Sequence, residues 1–351
     1  MGIITALLVL SFLIFFHELG HFTAARFFGV QVDVFSIGFG KRILTKKIGT
    51  TEWSLSLIPL GGYVKMKGQD DSDPTLKNFD QDSYNSKHPW QRIIILLAGP
   101  FANFLLAFLL YLSIATIGVP KLLPVIGDIN NSLPAAHSGM QVSDKITTIN
   151  GRNIKYWEDI GSAINEVSST LHITVLRKNE FIELKVDPKL QTIENRFKEN
   201  IKRKIIGIKP DHNATVNIQY SFSDSFDYAY EQTQHSSMLI IKSLQKLIEG
   251  AVPADQLGGV VSIVDVTAKA SHMGIVALLF FTALISVNLG VLNLLPIPAL
   301  DGGHVIFNLY EMITQQEPNE EIMYKLTLLG WGLLLSIMML GLYNDINRLI
   351  G

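Results

Sequence analysis

Residues 15–21 read FFHELGH, inside a run from Ile3 to Ala25 whose only ionisable side chains are His17, Glu18 and His21. Such groups at membrane depth cost roughly 3 kcal/mol each, and where they occur they mark function. On a helix, residues four apart share a face, so both imidazoles can hold one metal ion. Glu18, beside the first imidazole, can reach a water at the same site. A catalytic zinc takes three protein ligands and keeps a position for water. The stretch therefore predicts a third ligand elsewhere in the chain.

The 351 residues are 48% hydrophobic and only 17% charged, where a soluble domain carries about 25% charge. Net charge is near neutral, which gives no electrostatic footprint for nucleic acid. With no cysteine, disulfides and thiolate metal sites are excluded.

The chain reads as a polytopic α-helical membrane protein. Four apolar blocks reach the roughly 20 residues that cross a bilayer: Ile3–Ala25, Ile93–Val119, Ala270–Leu300 and Leu326–Asn344. Their expected spans are 3–25, 93–118, 272–297 and 326–344. The first is expected to be a retained span, since it lacks the basic flank of a signal peptide and its apolar run is too long for one. Arg26, Lys41, Arg42, Lys46, Lys47, Lys87 and Arg92 flank spans one and two in the loop 26–92. The positive-inside rule puts this loop in the cytoplasm, with both termini and the region 118–269 outside. The metal motif then lies toward the cytoplasmic side.

The first half of the membrane core is thus 1–118. Within its loop, VDVFSIGFGKRI (32–43) and TEWSLSLIPLGGYVKM (51–66) predict membrane-associated β-strands bent at glycines. The acidic patch GQDDSDP (68–74) turns the chain back to solvent. Residues 119–230 read as an inserted α/β module with an extension. In it, Trp157, Ile160, Ile164 and Val167 share a helix face. The stretch 171–186 predicts a hairpin broken at Lys178–Asn179, and KRKIIGIKP (202–210) a further strand. Residues 231–269 predict an amphipathic linker with a helix over 237–248, then a loop around 250–264. The second half of the core is 270–351.

Among the other apolar blocks, one offers a carboxylate: Asp301, in NLLPIPALDGGH (293–304). Pro296 and Pro298 break helical hydrogen bonding, and a broken helix at membrane depth lines a protected cavity. Such a break can turn Asp301 toward the two histidines. His304 reads either as a fourth ligand, a group beside the ligands or an interfacial histidine. Asn293 reads either as an interhelical hydrogen-bonding group or as one that binds substrate or steadies an oxyanion. Asn103, after Gly99–Pro100, is placed to kink or brace the second span, and His272 lies at the margin of the third.

Together HELGH in the first span, GFG and PLGGYVKM in the loop, AGPFANFLLA in the second span and NLLPIPALDGG in the third resemble the site-2 protease family of intramembrane zinc metalloproteases. The bacterial regulator of sigma-E protease branch is the most similar, and the resemblance covers nearly the whole chain. It implies one zinc held by His17, His21 and Asp301, Glu18 as general base, and Asn293 in substrate handling. It further implies that Gly38, Phe39, Gly40, Gly61 and Gly62 belong to a loop that pairs with an unwound substrate. SLPAAHSGMQVSDKITTINGRNI (132–154) is similar to a PDZ domain, with Ser143 where a glycine is usual. Relatives often carry two such modules, and 118–230 has room for one and an extension. A GP pair usual before the third span reads Gly258–Gly259–Val260 here.

The resemblance implies a multi-pass protein of the bacterial inner membrane with a periplasmic PDZ-like module, working in regulated intramembrane proteolysis. Its partners would be the lipid bilayer and single-span membrane proteins, such as an anti-sigma factor after a first cleavage, with one chain sufficient for activity. Remnant signal peptides or a membrane-bound transcription factor precursor would suit the same chemistry. A non-catalytic scaffold and a zinc-handling protein are rival readings that the intact motif residues and the large outer module fit poorly.

Overall fold

A computed structural model describes residues 2–69, 78–166, 170–195 and 199–350. The acidic turn at 70–74 and Val167, placed above on a helix face, lie outside the described residues. The chain forms two compact units, one of residues 1–114 and 223–351 and one of 115–222.

The first unit holds four helices long and apolar enough to cross a membrane: α1 (Gly2–Phe27), α2 (Pro89–Ile117, whose last residues belong to the second unit), α7 (Ile275–Asn293) and α9 (Glu320–Ile350). The third block does not run over 272–297. Gly274, at φ 111°, separates α6 (Val260–Met273) from α7, and the segment of Pro296 and Pro298 separates α7 from α8 (Asp301–Thr314). Tight turns carry the chain across that gap, with Leu294 N–H donating to Val291 O and Ile297 N–H to Leu295 O. A Cβ on Gly302 would come within 2.4 Å of the Leu294 and Leu295 oxygens, and one on Gly303 within 2.2 Å of Ile297 O. Only glycine lets the first turn of α8 fold back so closely.

Between α1 and α2, β1 (Val32–Ile48) and β2 (Thr51–Met66) pair antiparallel along most of their length. Both bend, so the first part of β1 is flanked twice: Phe35 opposes Trp53 on one side and Val64 on the other. The sheet order by segment is therefore 62–66, 32–39, 51–58, 42–48. Phe35 stacks on Trp53, and Phe22 of α1 packs edge-on against both. These aromatic contacts, with Ala25, Val30 and Ile95, seat the sheet on α1.

The loop reading of 250–264 is corrected at Val260, where α6 begins. The carboxylate of Asp345 on α9 caps it, accepting from Gly259 N–H at 3.0 Å and Ser262 N–H at 3.1 Å. That partner is remote in sequence, so no local capping signal announces the helix. The amphipathic helix read over 237–248 is α5 (Phe222–Ile248) and starts fifteen residues earlier. Before residue 237 it buries Ser225, Tyr228, Ala229 and Ser236, small or polar groups that carry no apolar period.

The second unit contains a four-stranded sheet ordered β6 (Arg152–Asn153), β5 (Lys145–Ile149), β7 (Leu171–Arg177), β8 (Glu180–Val186). Ile146, Ile149, Leu171, Ile173 and Val175 from the sheet pack with Ile160 and Ile164 of α4 (Trp157–Asn165). Lys178 and Asn179, both at positive φ, make the two-residue β7–β8 turn. The segment 202–210 is divided by Gly207, at φ 91°, and its last residues, Ile208–Pro210, pair with Ile126–Ile129.

Candidate metal centre

His17 and His21 lie in the C-terminal half of α1, one turn apart on one face. α1 crosses α2 at very close range: a Cβ on Gly20 would stand 2.2 Å from the Ala98 oxygen. At this crossing Nδ1 of His21 lies 2.9 Å from the Ile95 carbonyl oxygen, and a neutral imidazole donates its proton there. Nε2 is thereby left as a lone pair, 3.2 Å from Nε2 of His17. Gly99 provides the room, since a Cβ there would meet the His21 ring at 2.2 Å.

Asp301 is the first residue of α8, and the proline break before it swings its carboxylate to the histidines. Oδ2 lies 3.3 Å from Nε2 of His17 and 3.5 Å from Nε2 of His21. Yet Oδ2 is buried without a partner in hydrogen-bond geometry. Ligand atoms of the three residues lie within 4.8 Å of one another. Two imidazoles and a carboxylate, converging through one orphaned oxygen, fit a zinc ion by donor type and number.

These residues open on a cavity of about 560 Å³ that is also lined by Glu18, Asn293, Phe39, Gly62 and His304. Asn293, the last residue of α7, has its side-chain amide 3.2 Å from Nε2 of His17. A Cβ on Gly62 would stand 3.2 Å from Cγ of Glu18, so the end of β2 passes directly beside that side chain. Gly38, Gly40 and Gly61 do not line the cavity. They bend the strands around it, with φ of 89°, 83° and 154°, and a Cβ at Gly61 would strike the Phe39 ring.

Five consecutive residues, Gly62 to Met66, line the cavity. A strand turns alternate side chains to opposite faces, so this segment meets the cavity along its edge. Among the described residues no strand pairs with that edge. The sequence marks Arg42 only as a basic flank and does not single out Tyr63, Lys65 or Trp331 on the cavity wall, nor Gly99. Asn103, read as a helix brace, has its side-chain amide 3.1 Å from Nδ1 of His17. A lone amide deep in an apolar span was the available signal.

The model of peptidase family M50 matches residues 5–337. A Campylobacter jejuni protein named as a zinc metalloprotease is 45% identical over 99% of this chain and 94% of its own length. A Helicobacter pylori protein with the same type of name is 42% identical over 99% of each chain. The regulator of sigma-W protease RasP of Bacillus subtilis is 28% identical over 99% of this chain and 98% of its own. The chain belongs to peptidase family M50 and is a multi-pass membrane zinc metalloprotease of the site-2 type.

Proposed function

We propose that the chain hydrolyses peptide bonds within or near the membrane-spanning helix of single-span proteins, with His17, His21 and Asp301 as zinc ligands. The observation that carries this reading is the convergence of two imidazoles and a distant carboxylate beside Glu18, on elements built from apolar spans. Zinc bound there supplies Lewis acidity, which activates water and polarises a carbonyl.

The protein's own groups do the rest. Glu18, on the cavity wall next to the ligands, takes the proton from water and returns it to the leaving amine. The Asn293 amide, on the cavity wall 3.2 Å from Nε2 of His17, donates to the substrate carbonyl oxygen as negative charge develops on it. A helical substrate hides its carbonyls in internal hydrogen bonds, so it must unwind before attack. The open edge of residues 62–66 offers an unwound segment backbone partners, as in β-strand addition. That edge passes Glu18, which delivers the extended segment to the base. Phe39 and the glycines at 38, 40, 61 and 62 shape this edge.

The basic loop 26–92 orients the site to the cytoplasm, with both termini and the 115–222 unit outside, in a bacterial inner membrane. That unit reads as a PDZ-like filter that admits substrates already trimmed on the outer side. The name of the Bacillus subtilis relative makes an anti-sigma factor the favoured substrate, and a monomer suffices. Incubating the purified chain with a single-span reporter in detergent tests the activity. Cleavage within the span by wild type and none by Glu18→Gln is expected; equal cleavage by both contradicts the reading.

A further inference from the structure

We infer that Asn103 is a positioning residue: its side-chain oxygen accepts a hydrogen bond from Nδ1–H of His17, fixing the tautomer that leaves Nε2 bare for zinc. The inference rests on His17 being a zinc ligand. A neutral imidazole has one donor nitrogen and one acceptor nitrogen. Nε2 of His17 faces Nε2 of His21 at 3.2 Å and Oδ2 of Asp301 at 3.3 Å, so it points to the metal position. The proton then sits on Nδ1, which faces the Asn103 side-chain amide at 3.1 Å.

As placed, both Asn103 and Asn293 turn their Nδ2 toward the His17 ring, one at each nitrogen. That arrangement asks both ring nitrogens to accept, which no neutral or protonated imidazole can do. A half-turn of an asparagine amide exchanges its oxygen and nitrogen without moving anything else. One end of the Asn103 amide lacks a protein partner as placed, its Oδ1, so the proton count at His17 decides the orientation. Asn103 is fully buried, and bulk water cannot replace the bond.

His21 supplies the parallel. Its Nδ1 donates to the Ile95 carbonyl on α2, and its Nε2 turns to Asp301. With Asn103 accepting, both ligands follow one rule: α2 takes the Nδ1 proton and the metal position takes Nε2. Ser286 of α7 holds the Asn103 backbone oxygen at 2.7 Å, which fixes this part of α2 whatever side chain stands at 103. Hydrogen-bond partners of metal-bound histidines typically contribute 10- to 100-fold in metal affinity.

The test measures zinc affinity of the full-length chain in detergent by chelator competition. Asn103→Asp, which when ionised only accepts, keeps wild-type affinity or exceeds it, whereas Asn103→Leu weakens binding about 10- to 100-fold. Asp failing together with Leu, or Leu binding like wild type, overturns the inference. Should the Leu variant fail to fold, nitrogen-15 spectra of histidine-labelled wild type decide. The resonances lost in His17→Gln are expected to report a proton on Nδ1, and a proton on Nε2 overturns it. Full zinc content in His17→Gln would instead remove the ligand reading on which the inference rests.

Discussion

Gly99 on α2 stands so close to His21 on α1 that a Cβ at this position would lie 2.2 Å from the imidazole Nε2. Two helices meet here at a contact that only glycine permits, and the contact doubles as the cradle of a candidate ligand. Gly99→Ala should therefore displace the ring and weaken zinc binding about tenfold or more, on the scale of lost ligand orientation. Competition with a chelator reads this directly; unchanged affinity would show that the ring has room to move.

Glu18 lines the cavity without joining the three-ligand group. Glu18→Gln should keep one zinc per chain and lose about 10²- to 10⁴-fold in cleavage rate, the range of a general base. Zinc analysis and reporter cleavage on the same preparation separate the two effects. Loss of the metal would recast Glu18 as a ligand.

Asn293 should act on rate more than on binding. Removing one oxyanion donor costs about 10²-fold or more in kcat, so Asn293→Ala should lower kcat at nearly constant KM with zinc retained. A rise in KM alone would assign Asn293 to ground-state binding of the substrate.

In the second unit, Asp144 is almost fully buried. Arg177 grips it with Nε and Nη2 at 2.7 Å each, and the Gln141 N–H donates at 2.8 Å. Donating to this carboxylate raises the pKa of the Arg177 guanidinium above its ordinary value. Breaking a buried pair costs about 3 kcal/mol or more, so Arg177→Leu should sharply increase proteolysis within 115–222 while zinc content stays at wild type. Ser143, at φ 73°, holds a backbone conformation suited to glycine, and Ser143→Gly should slow that proteolysis.

The residues that converge at the candidate metal centre were legible in the sequence because ionisable groups are conspicuous in apolar blocks. His17, Glu18 and His21 stand out in α1, and Asp301 stands out beside two prolines. The four long apolar helices were legible as apolar blocks, the third being shorter than its expected 272–297. Gly99 was not, because a glycine's role as a cradle depends on what crosses it. The Asn103 contact to His17 needed the register of α2 against α1. The open edge at 62–66 needed the bend that lets the first part of β1 serve two neighbours. The early start of α5 and the cap on α6 escaped because their supports, Ser225 and Asp345 among them, leave no local pattern.

The most direct test of the central claim is zinc content per chain in Asp301→Asn beside wild type, with reporter cleavage on the same detergent samples. The account predicts one zinc in wild type, and in the variant a site lost or much weakened with cleavage lost alongside. Full zinc and unchanged cleavage in Asp301→Asn would contradict the three-ligand centre, and His304, on the same cavity wall, would be the next residue to change.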